Sequence, residues 1–229
     1  MEYSQPRIAA ERQELTFIQR VFSWMAIGLT VTGAVAAVIG TSVDETWWEN
    51  NSGLMLGLII LELAVVFGLI FLINRIPSTL AIAAFFFYSA LNGVTLSIIF
   101  AVYTTASIAA TFFVTAGMFG AMAAYGYVTK RDLSKLGSIL FMALIGLILA
   151  SIVNLFLAND ALYWIITYAG VAIFAGLTAY DMQKIKAMQA AGADAYSEQG
   201  KKAAIMGALA LYLDFINLFL FLLRIFGRR

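Results

Sequence analysis

The chain has 229 residues, of which 62% are hydrophobic and only 12% are charged. Soluble domains are nearer half apolar and a quarter charged, so this composition excludes a soluble protein and indicates an integral membrane protein. The net charge of +1 gives no reason to expect a nucleic-acid partner, and the absence of Cys and His removes disulfides and the commonest transition-metal ligand.

Seven apolar stretches are each long enough to cross a bilayer as a helix, which predicts an all-α membrane protein with seven transmembrane helices. The predicted spans are residues 17–40, 53–74, 79–102, 108–128, 136–157, 161–185 and 203–226. A cytoplasmic N-terminal tail, residues 1–16, is predicted to precede a single seven-helix membrane domain over residues 17–229.

Lys and Arg residues lie almost entirely on one side of these spans. Eleven of the 14 are on the side of the N-terminus: Arg7, Arg12, Arg20, Arg75, Lys130, Arg131, Lys135, Lys184, Lys186, Lys201 and Lys202. Because loops rich in Lys and Arg stay in the cytoplasm, the N-terminus is predicted to be cytoplasmic. The other three, Arg224, Arg228 and Arg229, follow the seventh span. This span therefore either crosses fully and carries them outside, or re-enters and leaves them inside.

Three carboxyl groups lie within predicted spans, namely Glu62, Asp181 and Asp214. A charge at the middle of a bilayer costs roughly 2.5–3.5 kcal/mol on insertion scales, so each is a candidate functional group. Asp181 and Asp214 are on consecutive, antiparallel spans and can form a pair that shares one proton, which is a pH switch without histidine. The alternative is that each is satisfied separately, Asp181 by solvent or Lys184, and Asp214 by a tyrosine or a backbone carbonyl.

Other polar residues accompany these carboxyl groups. Asn217 lies one turn beyond Asp214 and is a candidate pore-lining residue. Arg75 follows the second span, where it either pairs with an aspartate of the bundle or simply marks the cytoplasmic side. Two sets with helical spacing are expected to form interhelical hydrogen bonds; they are Tyr88, Asn92 and Thr95 in the third span, and Thr111, Thr115 and Met118 in the fourth.

Motifs of enzymes are scarce in the chain, which has no H-E-x-x-H, no G-x-S-x-G with a His partner and no phosphate-binding glycine loop. Two aspartates on consecutive spans also fit an intramembrane aspartyl protease. However, Leu211 and Leu213 stand where presenilin-type enzymes have the glycines of G-x-G-D, before Asp214. We therefore expect a protein that is not an enzyme, has no cofactor and has no assigned metal ligands.

The chain resembles the Bax-inhibitor family of transmembrane proteins in three segments: NGVTLSIIFAVYTTASIAATFFVTAGMFGAMAAYGYVTKRDLS, GLTAYDMQKIK and ALYLDFINLFLFLLRIFG. The resemblance runs through essentially all the spans in order and is greatest to bacterial inner-membrane members. It implies a multi-pass protein of the bacterial inner (plasma) membrane. It also implies a bundle in which the seventh helix is central and surrounded by the other six.

The same resemblance implies a pH-sensitive calcium leak channel. In it, Asp181 and Asp214 would form a hydrogen-bonded pair that senses pH and gates the channel, Arg75 would latch that pair, and Glu62 would face the pore. Ca²⁺ or another cation would be the transported ion. The family also suggests an alternative, a membrane regulatory protein that binds a partner such as a membrane protease or a stress-response complex. The polar loop over residues 186–202 and the N-terminal tail would then carry the contact.

Overall fold

The structure, a computed structural model, describes residues 5–43, 45–192, 194 and 196–228, and within them it contains helices and no strand. The helices are α1 (Gln5–Ser42), α2 (Glu45–Asn50), α3 (Ser52–Leu72), α4 (Ser78–Leu96), α5 (Ile99–Val102), α6 (Thr105–Val128), α7 (Ser134–Leu157), α8 (Asp160–Ala190) and α9 (Glu198–Phe226). Seven stretches of this described part are long and apolar enough to cross a membrane: Phe17–Ser42, Ser52–Leu72, Ser78–Val102, Thr105–Val128, Ser134–Leu157, Asp160–Ala190 and Glu198–Phe226. The predicted all-α, seven-span fold is confirmed.

The third span is interrupted, which the sequence analysis did not predict. The backbone N–H and the hydroxyl of Ser97 both donate to the carbonyl of Val94, at 3.3 and 2.6 Å. A short polar side chain that bonds its own backbone competes with the regular helical bonds. Helix α4 therefore ends at Leu96, and the span continues as the short helix α5.

Three helices extend beyond the predicted membrane spans. Helix α8 continues to Ala190 and α9 begins at Glu198, so the connection between them is residues 191–197 rather than 186–202. Lys, Gln and Ala favour helix, and apolarity marks where a chain crosses a membrane rather than where a helix ends. Likewise α1 begins at Gln5, so the predicted tail is helical from that residue on, while residues 1–4 lie outside the described part.

Helix α9 is the most buried of the seven spans. Within its most apolar window 72% of the residues are buried, against at most 44% in any other span. Its 29 residues form one uninterrupted helix about 43 Å long, more than the roughly 30 Å of a bilayer core. Its length therefore suffices for a full crossing, and the side of the membrane that carries Arg224 and Arg228 stays a prediction. The position of α9 at the centre of the other six stays a prediction.

Contacts divide the chain into two compact units. Unit 1 comprises the described residues of Met1–Val102 together with Ala187–Tyr212, and unit 2 comprises Tyr103–Lys186 and the described residues of Leu213–Arg229. Helix α9 thus contributes its first half to unit 1 and its second half to unit 2. The predicted single domain over residues 17–229 stays a prediction.

In unit 1, α1 and α3 pack on α4, and α1 approaches α4 closely at Gly93. A Cβ atom at Gly93 would lie only 2.7 Å from the carbonyl oxygen of Thr32. The Thr32 hydroxyl donates to the carbonyl of Ser89 at 2.8 Å, and the hydroxyl oxygen of Tyr212 lies 2.7 Å from it. Because the Thr32 proton is used in the first bond, Tyr212 is the donor in the second. Fully buried Tyr212 thereby fixes the first half of α9 to α1 and α4.

In unit 2, the second half of α9 packs on α6 through aromatic rings. Phe215 of α9 lies 5.4 Å from Phe112 and 5.4 Å from Phe119, measured between ring centroids. The end of α9 lies beside the start of α6, where the Thr104 N–H donates to the Arg228 carbonyl at 3.0 Å. Large apolar side chains on the outside, such as Phe156 at 85% exposure, fit contact with lipid. Arg229 lies outside the described residues.

Candidate functional site

Asp214 is a buried carboxyl group within a membrane span. Its side chain is only 4% exposed, and its Oδ2 atom has no hydrogen-bond partner among the described residues. A buried acceptor without a partner destabilises a protein by about 1–3 kcal/mol, and by more when it is charged. A bound proton or a nearby cation would therefore stabilise the carboxyl group of Asp214 at this position.

Asp181 of α8 lies near Asp214, and both belong to unit 2. The charge of Asp181 acts on the carboxyl group of Asp214, so the two are electrostatic neighbours. No hydrogen bond joins the two carboxyl groups in the described structure, so the hydrogen-bonded form of the pair stays a prediction. Lys184, one turn after Asp181 on the exposed side of α8, also acts on Asp181 through its charge.

Gln183 fixes α8 next to Asp181. Its Oε1 accepts the N–H of Leu133 at 2.9 Å, and its Nε2 donates to the carbonyl of Arg131 at 2.8 Å. One side-chain amide therefore satisfies a backbone donor and a backbone acceptor of the connection between α6 and α7. These two hydrogen bonds fix the position of α8 relative to the connection, and with it the position of Asp181, which lies two residues earlier in α8.

The connection that Gln183 holds is itself ordered by Asp132. The Oδ1 atom of Asp132 accepts the backbone N–H of Ser134, the first residue of α7, at 2.9 Å. Hydrogen bonds from the hydroxyl and the N–H of Ser134 lower the pKa of Asp132, because they stabilise its ionised form. These bonds order the end of the connection that leads into α7.

Lys186 joins α8 to the end of α6. Its ammonium group donates to the carbonyl of Tyr127 at 2.6 Å and lies 4.9 Å from the centre of the Tyr127 ring. The last carbonyls of a helix have no partner in that helix and favour a cation. Lys186 therefore caps α6 and holds α8 against it.

Two glycines allow α6 and α7 to approach α8 at the residues just before Asp181. A Cβ atom at Gly126 of α6 would overlap the carbonyl oxygen of Ala179. A Cβ atom at Gly137 of α7 would lie 2.5 Å from the ring of Tyr180. Small residues permit such close contacts between membrane helices, and here they contact the Ala179–Tyr180 segment, which directly precedes Asp181, from two helices.

Asn217 follows Asp214 by one turn, in the same unit. Its Nδ2 donates to the carbonyl of Leu213 at 2.8 Å, which orients the side chain and makes Oδ1 its remaining acceptor. Residues three apart lie on neighbouring positions of one helix face. Asp214 and Asn217 therefore present oxygen atoms along the same side of α9.

Glu62 lies in unit 1, within a second group of polar residues. The hydroxyl of Thr95 donates to its Oε1 at 2.7 Å, which joins α3 to α4 and confirms the interhelical bond predicted for Thr95. The charge of Glu62 also acts on Tyr88 of α4 and on Tyr212 of α9. By contrast, the Thr115 hydroxyl bonds the Thr111 carbonyl of its own helix.

Asp181, Asp214 and Asn217 thus belong to unit 2, with the charge of Asp181 acting on Asp214, while Glu62 and Arg75 belong to unit 1. The Arg75 side chain is exposed, and its proposed role as a latch stays a prediction. Within the described part of the chain, no group of three or more Asp, Glu, His or Cys side chains is placed to hold a metal ion.

Sequence reasoning missed the residues that position the pair, namely Gln183, Lys186, Gly126 and Gly137. Gln183 was predicted only as part of the end of the sixth span and Lys186 as part of the polar loop, whereas both lie within α8. The useful signal was available in the glycines, because a glycine inside a membrane helix often marks a close helix contact. The sequence does not indicate which helix each glycine contacts.

Comparison with known proteins gives consistent matches along the chain. The model of the family described as "Inhibitor of apoptosis-promoting Bax1" matches residues 14–229. The inner membrane protein YbhL of Escherichia coli K12 is 52% identical over 227 residues, covering 98% of this chain and 95% of that protein. Uncharacterized proteins of Borreliella burgdorferi and Deinococcus radiodurans are each 43% identical, with 97% and 95% of this chain covered. The matched segments cover 97% of the Borreliella protein and 92% of the Deinococcus protein.

The close contact at Gly126 predicts a steric effect of a single methyl group. Gly126→Ala should force α6 and α8 apart, because the neighbouring atom is a backbone oxygen that cannot rotate away. We expect a loss of about 1–3 kcal/mol in the free energy of unfolding, the usual range for overpacking. Unfolding in detergent, followed by circular dichroism or fluorescence, measures the change.

Gly120→Ala is the matched control in the same helix, since nothing lies within 4 Å of a Cβ atom at Gly120. It should be neutral or stabilising by up to about 1 kcal/mol, because Ala favours helix over Gly. Equal effects of the two substitutions would contradict the close contact between α6 and α8.

Proposed function

Because the chain belongs to the Bax inhibitor-1 family, we propose that it is a pH-sensitive cation leak channel of the inner membrane. Ca²⁺ is the proposed ion, and Asp181 and Asp214 are the proposed gate. The name of the Escherichia coli relative, an inner membrane protein, supports the location. The function itself rests on the chemistry of the aspartate pair.

The observation that carries this proposal is the buried Oδ2 atom of Asp214, which has no hydrogen-bond partner in the described structure and lies near a second carboxyl group. Two carboxylates a few ångströms apart cannot both ionise at low cost. One shared proton makes the pair stable, and its loss creates two charges that repel each other. The pair therefore has two states that differ in proton content.

The positions of Gln183 and Lys186 indicate which helix would respond. Lys186 holds α8 to α6, and Gln183 holds α8 to the connection that follows α6. Repulsion between Asp181 and Asp214 would then displace α9 rather than α8. Movement of α9 is the proposed opening step, and return of the proton reverses it.

The oxygen atoms of this region suit a hard cation. Ca²⁺ prefers carboxylate and carbonyl oxygen ligands, and Asp181, Asp214 and the Oδ1 atom of Asn217 would supply them along α9. Tight calcium sites use six to eight oxygen ligands, so three favour passage over retention. Glu62 is proposed to line the path as well, in unit 1.

Purified protein in liposomes with a Ca²⁺ gradient tests the gate. The wild-type leak should change with pH, by up to about tenfold per pH unit if one proton controls opening. Asp181→Asn and Asp214→Asn keep the shape of the side chain but cannot titrate, so each should flatten the pH dependence. A Ca²⁺ indicator dye, read in buffers of stepped pH, measures the rate.

Asp160→Asn is the matched control, because Asp160 is an exposed residue at the start of α8. It should leave the pH profile unchanged. A wild-type protein without Ca²⁺ leak would overturn the proposed transport. Leak with the wild-type pH profile in both Asp181→Asn and Asp214→Asn would overturn the proposed gate.

We also propose that the N-terminus is cytoplasmic, supported by the eleven Lys and Arg residues on its side of the spans. The chain has no Cys, so a single introduced Cys reports its own side of the membrane. Lys130→Cys, between α6 and α7, should resist an impermeant maleimide added to right-side-out inner-membrane vesicles. Ala161→Cys, at the start of α8, should react.

Both positions are exposed in the structure, so the difference between them should reflect only the side of the membrane. Permeabilised vesicles provide the control, since both variants should then react. The inverse pattern in sealed vesicles, with Lys130→Cys labelled and Ala161→Cys protected, would reverse the proposed orientation.

A further inference from the structure

A row of small hydroxyl side chains follows one face of helix α6 in unit 2. This hydroxyl row consists of Ser107, Thr111 and Thr115, and all three side chains are buried. Residues four apart are neighbours on one face of a helix. The row therefore places three hydroxyl oxygens in succession inside a membrane span.

Ser107, at one end of the hydroxyl row, contacts the end of α9. Its hydroxyl donates to the carbonyl of Phe226 at 3.3 Å and accepts the N–H of Arg228 at 2.8 Å. One hydroxyl therefore satisfies a backbone acceptor and a backbone donor where α9 stops. These bonds fix this end of the row to α9.

The other end of the hydroxyl row leads to the depth of Asp214. One turn beyond Thr115, the ring centroid of Phe119 lies 5.4 Å from that of Phe215. Phe215 directly follows Asp214 in α9. Since each residue turns about 100° around a helix, Thr111 and Thr115 project between these two contacts of α6 with α9. The row therefore runs along α9.

The two helices pass each other over equal lengths. The stretch of α6 from Ser107 to Phe119 is twelve residues long, and so is the stretch of α9 from Asp214 to Phe226. Each covers about 18 Å, more than half of the roughly 30 Å core of a bilayer. The hydroxyl row thus accompanies α9 from the depth of the aspartate to its end.

Thr111 differs from the other two members of the row in its bonding. The Thr115 hydroxyl donates to the Thr111 carbonyl at 2.8 Å, which is a common bond for a threonine within a helix. By contrast, the Oγ1 atom of Thr111 has no hydrogen-bond partner among the described residues, although the side chain is only 1% exposed. A hydroxyl buried in this way is unfavourable unless a polar molecule or an ion reaches it.

The α9 side chain at the level of Thr111 is apolar. Leu222 and Thr111 each lie one turn from the contact between Phe226 and Ser107, so they have the same depth in these antiparallel helices. Leu222 is buried and offers no donor or acceptor. The hydroxyl row is therefore covered by α9 in this structure, and the movement of α9 proposed above as the opening step would uncover it.

We propose that the hydroxyl row lines the cation path between the aspartate pair and the end of α9, and that Oγ1 of Thr111 binds the passing cation or its hydration water. The path rests on the proposed leak channel for its ion and its opening step. Hydroxyl oxygens are neutral ligands, like the carbonyl and water oxygens that Ca²⁺ accepts. They replace part of a hydration shell without the attraction of further carboxylates, which favours passage over retention.

Because the chain has no Cys, introduced thiols report which positions a cation reaches, with no need for Ca²⁺. Thr111→Cys, Thr115→Cys and Val114→Cys are each reconstituted in liposomes with silver nitrate on both faces, since silver ions bind the soft thiolate. Excess chloride stops the reaction after stepped times. A fluorescent maleimide then labels, in denatured protein, the thiols that silver has not reached.

Val114 provides the matched control, because it lies between the two threonines in the same helix but is exposed on the surface that faces lipid. The rates are measured in buffers of stepped pH. Each is divided by the rate of Ala161→Cys, an exposed position at the start of α8. This ratio corrects for the effect of pH on ionisation of the thiol.

At one or more of these pH values, Thr111→Cys and Thr115→Cys should react at least about tenfold faster than Val114→Cys, because a thiol in apolar surroundings forms little of the reactive thiolate. A rate as slow as that of Val114→Cys at every pH, in either of the two threonine positions, would overturn the path.

A second pair of variants tests Oγ1 of Thr111 without introducing a thiol. Thr111→Val keeps the shape of the side chain and removes the oxygen, whereas Thr111→Ser keeps the oxygen. In the liposome assay, Thr111→Val should lower the Ca²⁺ leak about fivefold, the effect of one typical hydrogen bond. Thr111→Ser should keep the wild-type rate. An unchanged leak in Thr111→Val would overturn the binding role of Oγ1.

The silver reaction and the Ca²⁺ leak distinguish failure of this path from failure of the proposed leak. Fast reaction of both cysteines in a protein that leaks no Ca²⁺ supports the path and overturns only the calcium leak. A Ca²⁺ leak through a protein in which both cysteines stay unreactive overturns the path and leaves the proposed leak in place.

Discussion

The buried carboxyl group of Asp214 is the constraint around which unit 2 is arranged. Water and hydrogen-bond donors are scarce in the apolar core of a membrane, so a carboxyl group there needs a proton, a cation or a donor. The described structure offers Oδ2 no donor and places a second carboxyl group nearby. That second group is present because Gly126 and Gly137 let α8 approach α6 and α7, and because Gln183 and Lys186 fix its depth.

Helix α9 carries both Asp214 and Tyr212, which make different kinds of contact. Tyr212 and Asp214 are two residues apart, and at 3.6 residues per turn they project about 200° apart around the helix. Tyr212 is tied to Thr32 by a hydrogen bond in unit 1, whereas Asp214 faces Asp181 in unit 2.

The seven spans could be predicted from the sequence because each one is a long apolar stretch, and length and apolarity are local properties. Asp181 and Asp214 could be identified for the same reason, since a carboxyl group in an apolar stretch stands out. The break at Ser97 could not, because many serines bond their own helix without ending it. The contacts of Gln183 and of Gly126 depend on which helices are neighbours and on their rotation, and the apolar pattern specifies neither. The end of α8 was placed too early because its last turns are polar yet still helical.

Infrared spectroscopy with isotope-labelled aspartate tests the central claim most directly, because a protonated carboxyl group absorbs apart from an ionised one. The account predicts a protonated aspartate band in the membrane-embedded protein that disappears as the pH is raised and is absent from Asp214→Asn. It also predicts that the band disappears at a different pH in Asp181→Asn, because the neighbouring charge is then removed. The account would be contradicted by a protein with no protonated aspartate at any pH near neutrality, or by a band whose titration is the same in Asp181→Asn.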